Sequence, residues 1–253
     1  MTKRPITAED LCKFKFVGDP QVSPTKDKVA YVLTHVDQEK DGYYSFIYVT
    51  DLQGNDRKFT THYSKDHLVK DAAPKWSPDG KSLAFRSNRT GKNQVWLLHT
   101  DGGEAVQLTD VKQGIGEFTW APDGKSLAVT VHGELKLTTD KDEEKKDKSD
   151  VKVITRLRYK GDGVGIYNED RRHVYVLDLD SKEFTKITEG EHDFGQPRFS
   201  PDGKSLFYIG TKAEDKEWGY LPAIWKFDLE TKEEALFYQG NGYVMAPSFS
   251  PDG

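Results

Sequence analysis

One turn recurs along this chain and constrains its fold more than any other feature. Ser77-Pro78-Asp79-Gly80 returns as Ala121-Pro122-Asp123-Gly124, Ser200-Pro201-Asp202-Gly203 and Ser250-Pro251-Asp252-Gly253, with a degenerate copy at Ser23-Pro24-Thr25-Lys26. Proline presets φ for the first corner of a type I turn, aspartate tolerates the second, and glycine supplies the left-handed residue that closes a three-residue hairpin with a bulge. The residues after each turn also match: Lys81-Ser82-Leu83-Ala84-Phe85, Lys125-Ser126-Leu127-Ala128-Val129 and Lys204-Ser205-Leu206-Phe207-Tyr208. A single Pro-Asp-Gly is weak, but recurrence with the same flanks marks a repeat architecture.

A four-part grammar surrounds each turn. A first strand ends in Ser-Pro, and a second is apolar on both faces. The third, rich in aromatics, ends in Asp (Ile47–Asp51, Val174–Asp178, Ile224–Asp228, with Val95–Leu98 in the same register), and a short fourth ends near Thr. Four short antiparallel strands recurring every 40 to 55 residues predict blades of a β-propeller. Second strands without polar alternation fit a sheet sandwiched between neighbours. The fold class is therefore all-β, a β-propeller with about four blades and the start of a fifth at 245–250. A two-sheet sandwich or an open solenoid is the alternative. Residues 1–18 are expected to form a short N-terminal helical segment, because Thr7 is followed by Asp10 at capping distance. The partial propeller is expected over 19–253.

The turn prolines stand at 24, 78, 122, 201 and 251, so the third interval is longer than the others by about 30 residues. The excess places an insertion within the third blade at about 132–171. Its first part, Asp140–Asp150, is wholly polar and is expected to be a solvated loop. Its second part, Val151–Lys160, alternates and is turned back by Gly161-Asp162-Gly163, which predicts an extra hairpin. A strand begun at Met245 and cut off within its turn would leave bare blade edges. The reading is therefore a fragment of a longer protein.

Composition agrees with strands: 13 Phe, 12 Tyr and 5 Trp stand against 2 Met. A net charge of −5 gives no basic footprint for nucleic acid or anionic membrane. The N-terminus turns acidic at once and no apolar span or secretory segment is present, so the expected location is cytoplasmic. There is no Gly-x-Ser-x-Gly elbow, His-Glu-x-x-His, phosphate loop or Cys-x-x-Cys, and Cys12 is the sole cysteine. No catalytic residue, metal ligand or cofactor is assigned. The one local cluster of interest is Arg156, Arg158, Arg171 and Arg172, which would either pair with a substrate carboxylate or a facing domain, or make blade-edge salt bridges.

Three features together resemble one family: Ile6-Thr7-Ala8-Glu9-Asp10-Leu11 before Asp19-Pro20-Gln21-Val22-Ser23-Pro24, the Ser-Pro-Asp-Gly blades, and the insertion Val153-Ile154-Thr155-Arg156-Leu157-Arg158-Tyr159-Lys160 followed by Arg171-Arg172-His173-Val174-Tyr175-Val176. They resemble the amino-terminal propeller of prolyl oligopeptidase family serine peptidases, in the acylaminoacyl-peptidase-like branch. The blades alone are shared with TolB-type propellers. The resemblance implies a C-terminal α/β-hydrolase domain carrying a Ser, Asp, His triad, absent from these residues, with the propeller gating access for short peptides or N-acylated amino acids. The alternative is a stand-alone TolB-like propeller serving as a protein-binding scaffold. Under the first reading the substrate is a small peptide, Arg156, Arg158 and Tyr159 are substrate-binding candidates, and a homo-oligomer is compatible with the chain. By itself the chain is expected to be inert, for want of nucleophile, base and oxyanion site.

Overall fold

The computed structural model describes residues 4–140, 154, 159–161, 165–166, 170–212, 221–245 and 247–250. The chain divides into two compact units, Met1–Asp110 and Val111–Gly253. The first unit holds one sheet of β1 (Lys15–Val22), β2 (Lys28–Asp37), β3 (Gly42–Asp51) and β4 (Asp56–Lys58), and a second of β5 (Asp71–Trp76), β6 (Ser82–Ser87), β7 (Gln94–His99) and β8 (Val106–Gln107). The second unit opens with β9 (Phe118–Trp120) and β10 (Ser126–His132). A small hairpin follows, β11 (Lys160–Gly161) on β12 (Gly165–Ile166), and then β13 (Arg172–Asp178) and β14 (Phe184–Lys186) complete the sheet begun by β9 and β10. Its other sheet is β15 (Phe194–Phe199), β16 (Ser205–Gly210), β17 (Ala223–Asp228) and β18 (Glu234–Tyr238). These are four antiparallel meanders in which each strand pairs with the preceding strand of its own sheet, β13 returning to β10 past the small hairpin, and this is the propeller-blade order that the repeat predicts.

The recurrent residues earn their places in the same way in each blade. At the turn, Ser77 N–H donates to the Ser82 carbonyl at 2.8 Å and Gly80 N–H to the Ser77 carbonyl at 2.8 Å. The loop therefore encloses four residues, not the expected three. Ala121 N–H and Gly124 N–H make the same two bonds, to the Ser126 and Ala121 carbonyls at 2.9 and 3.0 Å, so the backbone sets the loop size, and where serine is present its hydroxyl adds to it: Ser77 Oγ accepts the Ser82 N–H at 2.9 Å while donating to Asp79 Oδ1 at 2.6 Å. Ser200, Asp202 and Ser205 repeat this at 2.5 and 3.0 Å. Gly80, Gly124 and Gly203 hold φ of +70°, +71° and +73°, where a side chain is strained.

At the end of the third strand, the carboxylates of Asp51, Asp178 and Asp228 each accept N–H groups of the following turn at 2.8–3.0 Å; these bonds lower the pKa values of Asp178 and Asp228, and at Asp51 the Asn55 side-chain amide at 2.8 Å contributes most, ahead of the turn N–H groups. After the fourth strand, the buried hydroxyls of Thr60, Thr109 and Thr188 accept the N–H of Ile47, Val95 and Val174 at 3.0, 2.9 and 3.0 Å. The shared register of the third strands sets Tyr48, Trp96, Tyr175 and Trp225 opposite the fourth residue of each second strand.

In the second and fourth blades the second strand is the most buried element, with every residue of β16 buried and all but one of β6, whereas in the first blade the third strand is more buried than the second. In the first unit, Ala30, Ile47 and Val49 pack with Trp76, Leu83, Phe85 and Leu98. In the second, Ala128 and Val174 pack with Phe194, Phe199, Leu206 and Tyr208.

The N-terminal helix is shorter than expected. Ala8–Lys13 forms a 3-10 helix, its start fixed by Thr7 N–H on Asp10 Oδ2 at 3.0 Å and by Arg4 gripping the same carboxylate at 2.5 and 2.6 Å. From Lys15 the chain is already strand, because pairing of Lys15, Phe16 and Val17 with His35, Thr34 and Leu33 outweighs the local helical signal. Among the described residues no helix is long and apolar enough to cross a membrane, and no group of three or more His, Cys, Asp or Glu gathers as a metal site.

Candidate functional site

Within an antiparallel meander, the Ser-Pro turn and the Asp-capped turn fall at one end of the blade, while the loop between second and third strands falls at the other. The second end carries the variation. In the second blade it presents Arg89, whose guanidinium lies 4.7 Å from the Trp96 ring centroid and 5.0 Å from that of Phe85, and pairs with Asp71 at 3.0 Å. The fourth blade places Lys212 two residues after its second strand, as Arg89 is after β6. Lys212 sits 4.4 Å from the Trp225 ring centroid and pairs with Glu234. Counted from the serine that opens each second strand, the equivalent residue of the third blade is Gly133, where the insertion begins.

Both ends of the insertion are latched to the blade. Gly133 N–H donates to the Arg171 carbonyl at 2.8 Å, and Leu135 N–H to Tyr175 Oη at 3.3 Å. Leu137 bridges Val111, and Glu134 pairs with Lys186 at 2.6 Å, a contact that lowers the glutamate pKa. Lys160 and Gly161 then pair with Ile166 and Gly165, at the place where the alternating sequence predicts an extra hairpin.

Where the insertion returns, Arg171 and Arg172 diverge. Arg171 Nε donates to the Glu191 carbonyl at 3.1 Å, and its Nη2 is buried without a partner. Arg172 opens β13 with its N–H on Asp193 Oδ1 at 2.9 Å, and its Nε donates to the Phe194 carbonyl at 2.7 Å. The guanidinium lies flat on Gly195: a methyl there would stand 3.0 Å from Nη2, 3.2 Å from Cζ and 3.4 Å from Nε. Neither arginine makes the blade-edge salt bridge that was the simpler expectation, among the described residues. Beside them, Gln196 N–H donates to Glu117 Oε2 at 2.6 Å. Below, buried His173 meets Thr188 Oγ1 at 3.2 Å through Nδ1. Burial, then the charge of Lys186, hold its pKa below the ordinary value, so the ring is neutral at pH 7.

Of the three substrate-binding candidates, Arg156 and Arg158 lie outside the described residues, and Tyr159 is exposed just before β11. Glu117, Gly195 and Gln196 were missed. The signal for them was present: Asp19, Ala73, Glu117 and Gln196 all stand four residues before the turn serine or its Ala121 counterpart, and proline follows in three of the four. In those three the residue is left-handed, with φ of 49°, 52° and 51°, and the pairing register shifts around it. Each is a β-bulge that re-aims the first strand at this end of its blade.

Residues 8–162 match the family described as the TolB beta propeller domain. Among curated proteins, the chain is 36% identical over 214 residues to the uncharacterized peptidase YuxL of Bacillus subtilis (strain 168), covering 84% of the chain and 32% of that protein. It is 26% identical over 265 residues to dipeptidyl-peptidase 5 of Porphyromonas endodontalis, covering 98% and 37%. Among solved structures it aligns with Pyrococcus horikoshii acylaminoacyl peptidase at a TM-score of 0.67 and 19% identity, over 93% of the chain and 34% of the other, a likeness of fold. The chain thus spans about a third of the length of the curated relatives it matches. With four four-stranded blades observed and more than half of its residues matched, the chain belongs to the TolB β-propeller domain family.

Proposed function

We propose that this chain is the gating and substrate-selecting propeller of a serine peptidase that hydrolyses short peptides or N-acylated amino acids, with catalysis supplied by an α/β-hydrolase domain outside these 253 residues. The observation that carries the reading is the similarity to a peptidase at 36% identity along 84% of the chain, combined with the chain's accounting for only 32% of that relative. Its role is steric and electrostatic: the insertion end of the third blade presents cationic and hydrogen-bonding groups to a peptide, while the chemistry happens elsewhere.

The test has two arms. The 253-residue chain is expected to show no turnover of acyl-amino-acid or dipeptidyl anilides. The polypeptide encoded with the sequence downstream of Gly253 is expected to hydrolyse them and to be silenced by a serine-directed inhibitor. A stop codon directly after Gly253, or a longer protein without inhibitor-sensitive turnover, overturns the proposal. That result favours the alternative, a stand-alone TolB-like propeller acting as a protein-binding scaffold, for which the family match is the support.

A further inference from the structure

At the end opposite the Ser-Pro turn the first blade carries Lys40, which donates to the Lys65 carbonyl, while Arg89 in the second blade and Lys212 in the fourth are each neutralised by a carboxylate. Arg89 is paired with Asp71, bonded to Ser87 and enclosed by Phe85 and Trp96. Lys212 is paired with Glu234 and lies over Trp225. In the third blade Arg172 differs. Its backbone N–H and its Nε are anchored, on Asp193 and on the Phe194 carbonyl. No hydrogen bond or ion pair of its terminal nitrogens is found among the described residues, and the side chain as a whole is half-buried.

The carboxylates of Asp193 and Glu117 are engaged by backbone at this end of the blade. Asp193 Oδ1 is engaged by the Arg172 backbone N–H, Glu117 Oε2 by the Gln196 N–H, and neither forms an ion pair with the guanidinium. A guanidinium cannot shed its proton, and its two terminal N–H groups form a planar fork that matches a carboxylate. Nε anchoring and the flat seat on Gly195 fix that fork before any ligand arrives, so little rotamer freedom is lost on binding.

We infer that Arg172 is a preformed receptor for a carboxylate, and that its ligand is the C-terminal carboxylate of a short peptide. This deepens the peptide-selecting reading and rests on it. Gly195 is the positioning residue: a Cβ there would meet the guanidinium at 3.0–3.4 Å, so the fork would have to shift to make room.

The experiment uses the 253-residue chain and two probes, acetyl-Ala-Ala as the free acid and the same peptide as its carboxamide, with binding followed by NMR titration. The acid is expected to bind about ten- to hundredfold tighter than the amide, the range for a hydrogen bond to a charged group. R172M is expected to abolish that preference. R172K, which keeps the charge and loses the fork, retains a small part of it. G195A reduces it while circular dichroism shows the blades intact. Equal binding of acid and amide, binding of neither, or a preference that survives R172M but vanishes in R171M would each overturn the assignment. The parent reading is scored separately on the longer protein. Inhibitor-sensitive turnover without an acid preference sinks this inference alone, and an acid preference without turnover sinks the peptidase reading alone.

Discussion

Replacing Arg89 by methionine tests the electrostatics of the second blade at its most enclosed point. Asp71 is fully buried and the Arg89 side chain is 9% exposed, with Nη2 and Oδ1 3.0 Å apart. Arg89 Nε also donates to Ser87 Oγ at 3.0 Å, and Asp71 Oδ2 has no partner of its own. The arginine is thus the one direct counter-charge of a buried carboxylate among the described residues, with Lys58 contributing only through space. Methionine preserves most of the stem packing against Phe85 and Trp96, so the loss is chiefly electrostatic. Stranding a buried charge in this way costs about 3–5 kcal/mol. Lys58 pulls the expectation to the lower end, about 3 kcal/mol. D71N/R89M removes both charges and is expected to cost much less than R89M, a coupling of about 2 kcal/mol. Urea unfolding of the chain, followed by far-ultraviolet and aromatic circular dichroism, reads R89M, D71N and D71N/R89M. If R89M costs under about 1 kcal/mol, or the two substitutions simply add, the pair behaves as a surface contact and the reasoning fails.

Two further outcomes are expected. Ala73 sits at φ 52° in its bulge, a strained backbone for any residue with a Cβ, so A73G should leave stability unchanged or raise it by up to about 1 kcal/mol, whereas A84G within buried β6 should lower it by at least about 0.5 kcal/mol; equal losses at the two sites in urea unfolding would refute the strain. His173 has a folded pKa lowered chiefly by burial and secondarily by Lys186, with Glu134, Glu189 and Asp193 acting the other way. Below about pH 6.5 the unfolded chain binds the extra proton, so this contribution is intact above that pH and is lost as pH falls. The melting temperature should drop between pH 7.5 and 5.5, and less so in H173Q; the same drop in both would remove His173 as its source.

The parts of the fold legible in sequence are those that each hairpin settles within itself. Pro-Asp-Gly, the Asp at the end of the third strand and the Thr after the fourth all bond to backbone within about 15 residues, so their periodicity transmits directly. The insertion was legible by subtraction, as excess length between β10 and β13. What stayed hidden depends on pairing between distant residues. Lys15–Val17 reads locally as the end of a helix and becomes strand only because β2 offers a free edge. The left-handed bulge residues carry no common side chain: Asp19, Ala73 and Gln196 share only the proline that follows and their spacing from the turn serine. Arg172 was visible as one of four clustered arginines, but its distinction rests on Gly195, which lies 23 positions away and becomes its neighbour only through the packing of β13 beside β15.

The latches at the root of the insertion have a thermodynamic consequence for the third blade. Between β6 and β7 the chain closes over 6 residues, and between β10 and β13 over 39. For a flexible connection that difference in length costs about 1.7 kcal/mol in closure entropy before any ladder bond forms. The Gly133 bond to Arg171, the Leu135 bond to Tyr175, the bridge from Leu137 to Val111 and the Glu134–Lys186 pair shorten the effective loop from its ends inward. Hydrogen bonds contribute about 0.5–1.5 kcal/mol apiece and an exposed ion pair about 0–1 kcal/mol, enough together to offset the penalty. The third blade thereby carries a long excursion in its chain while keeping the same paired register as its neighbours.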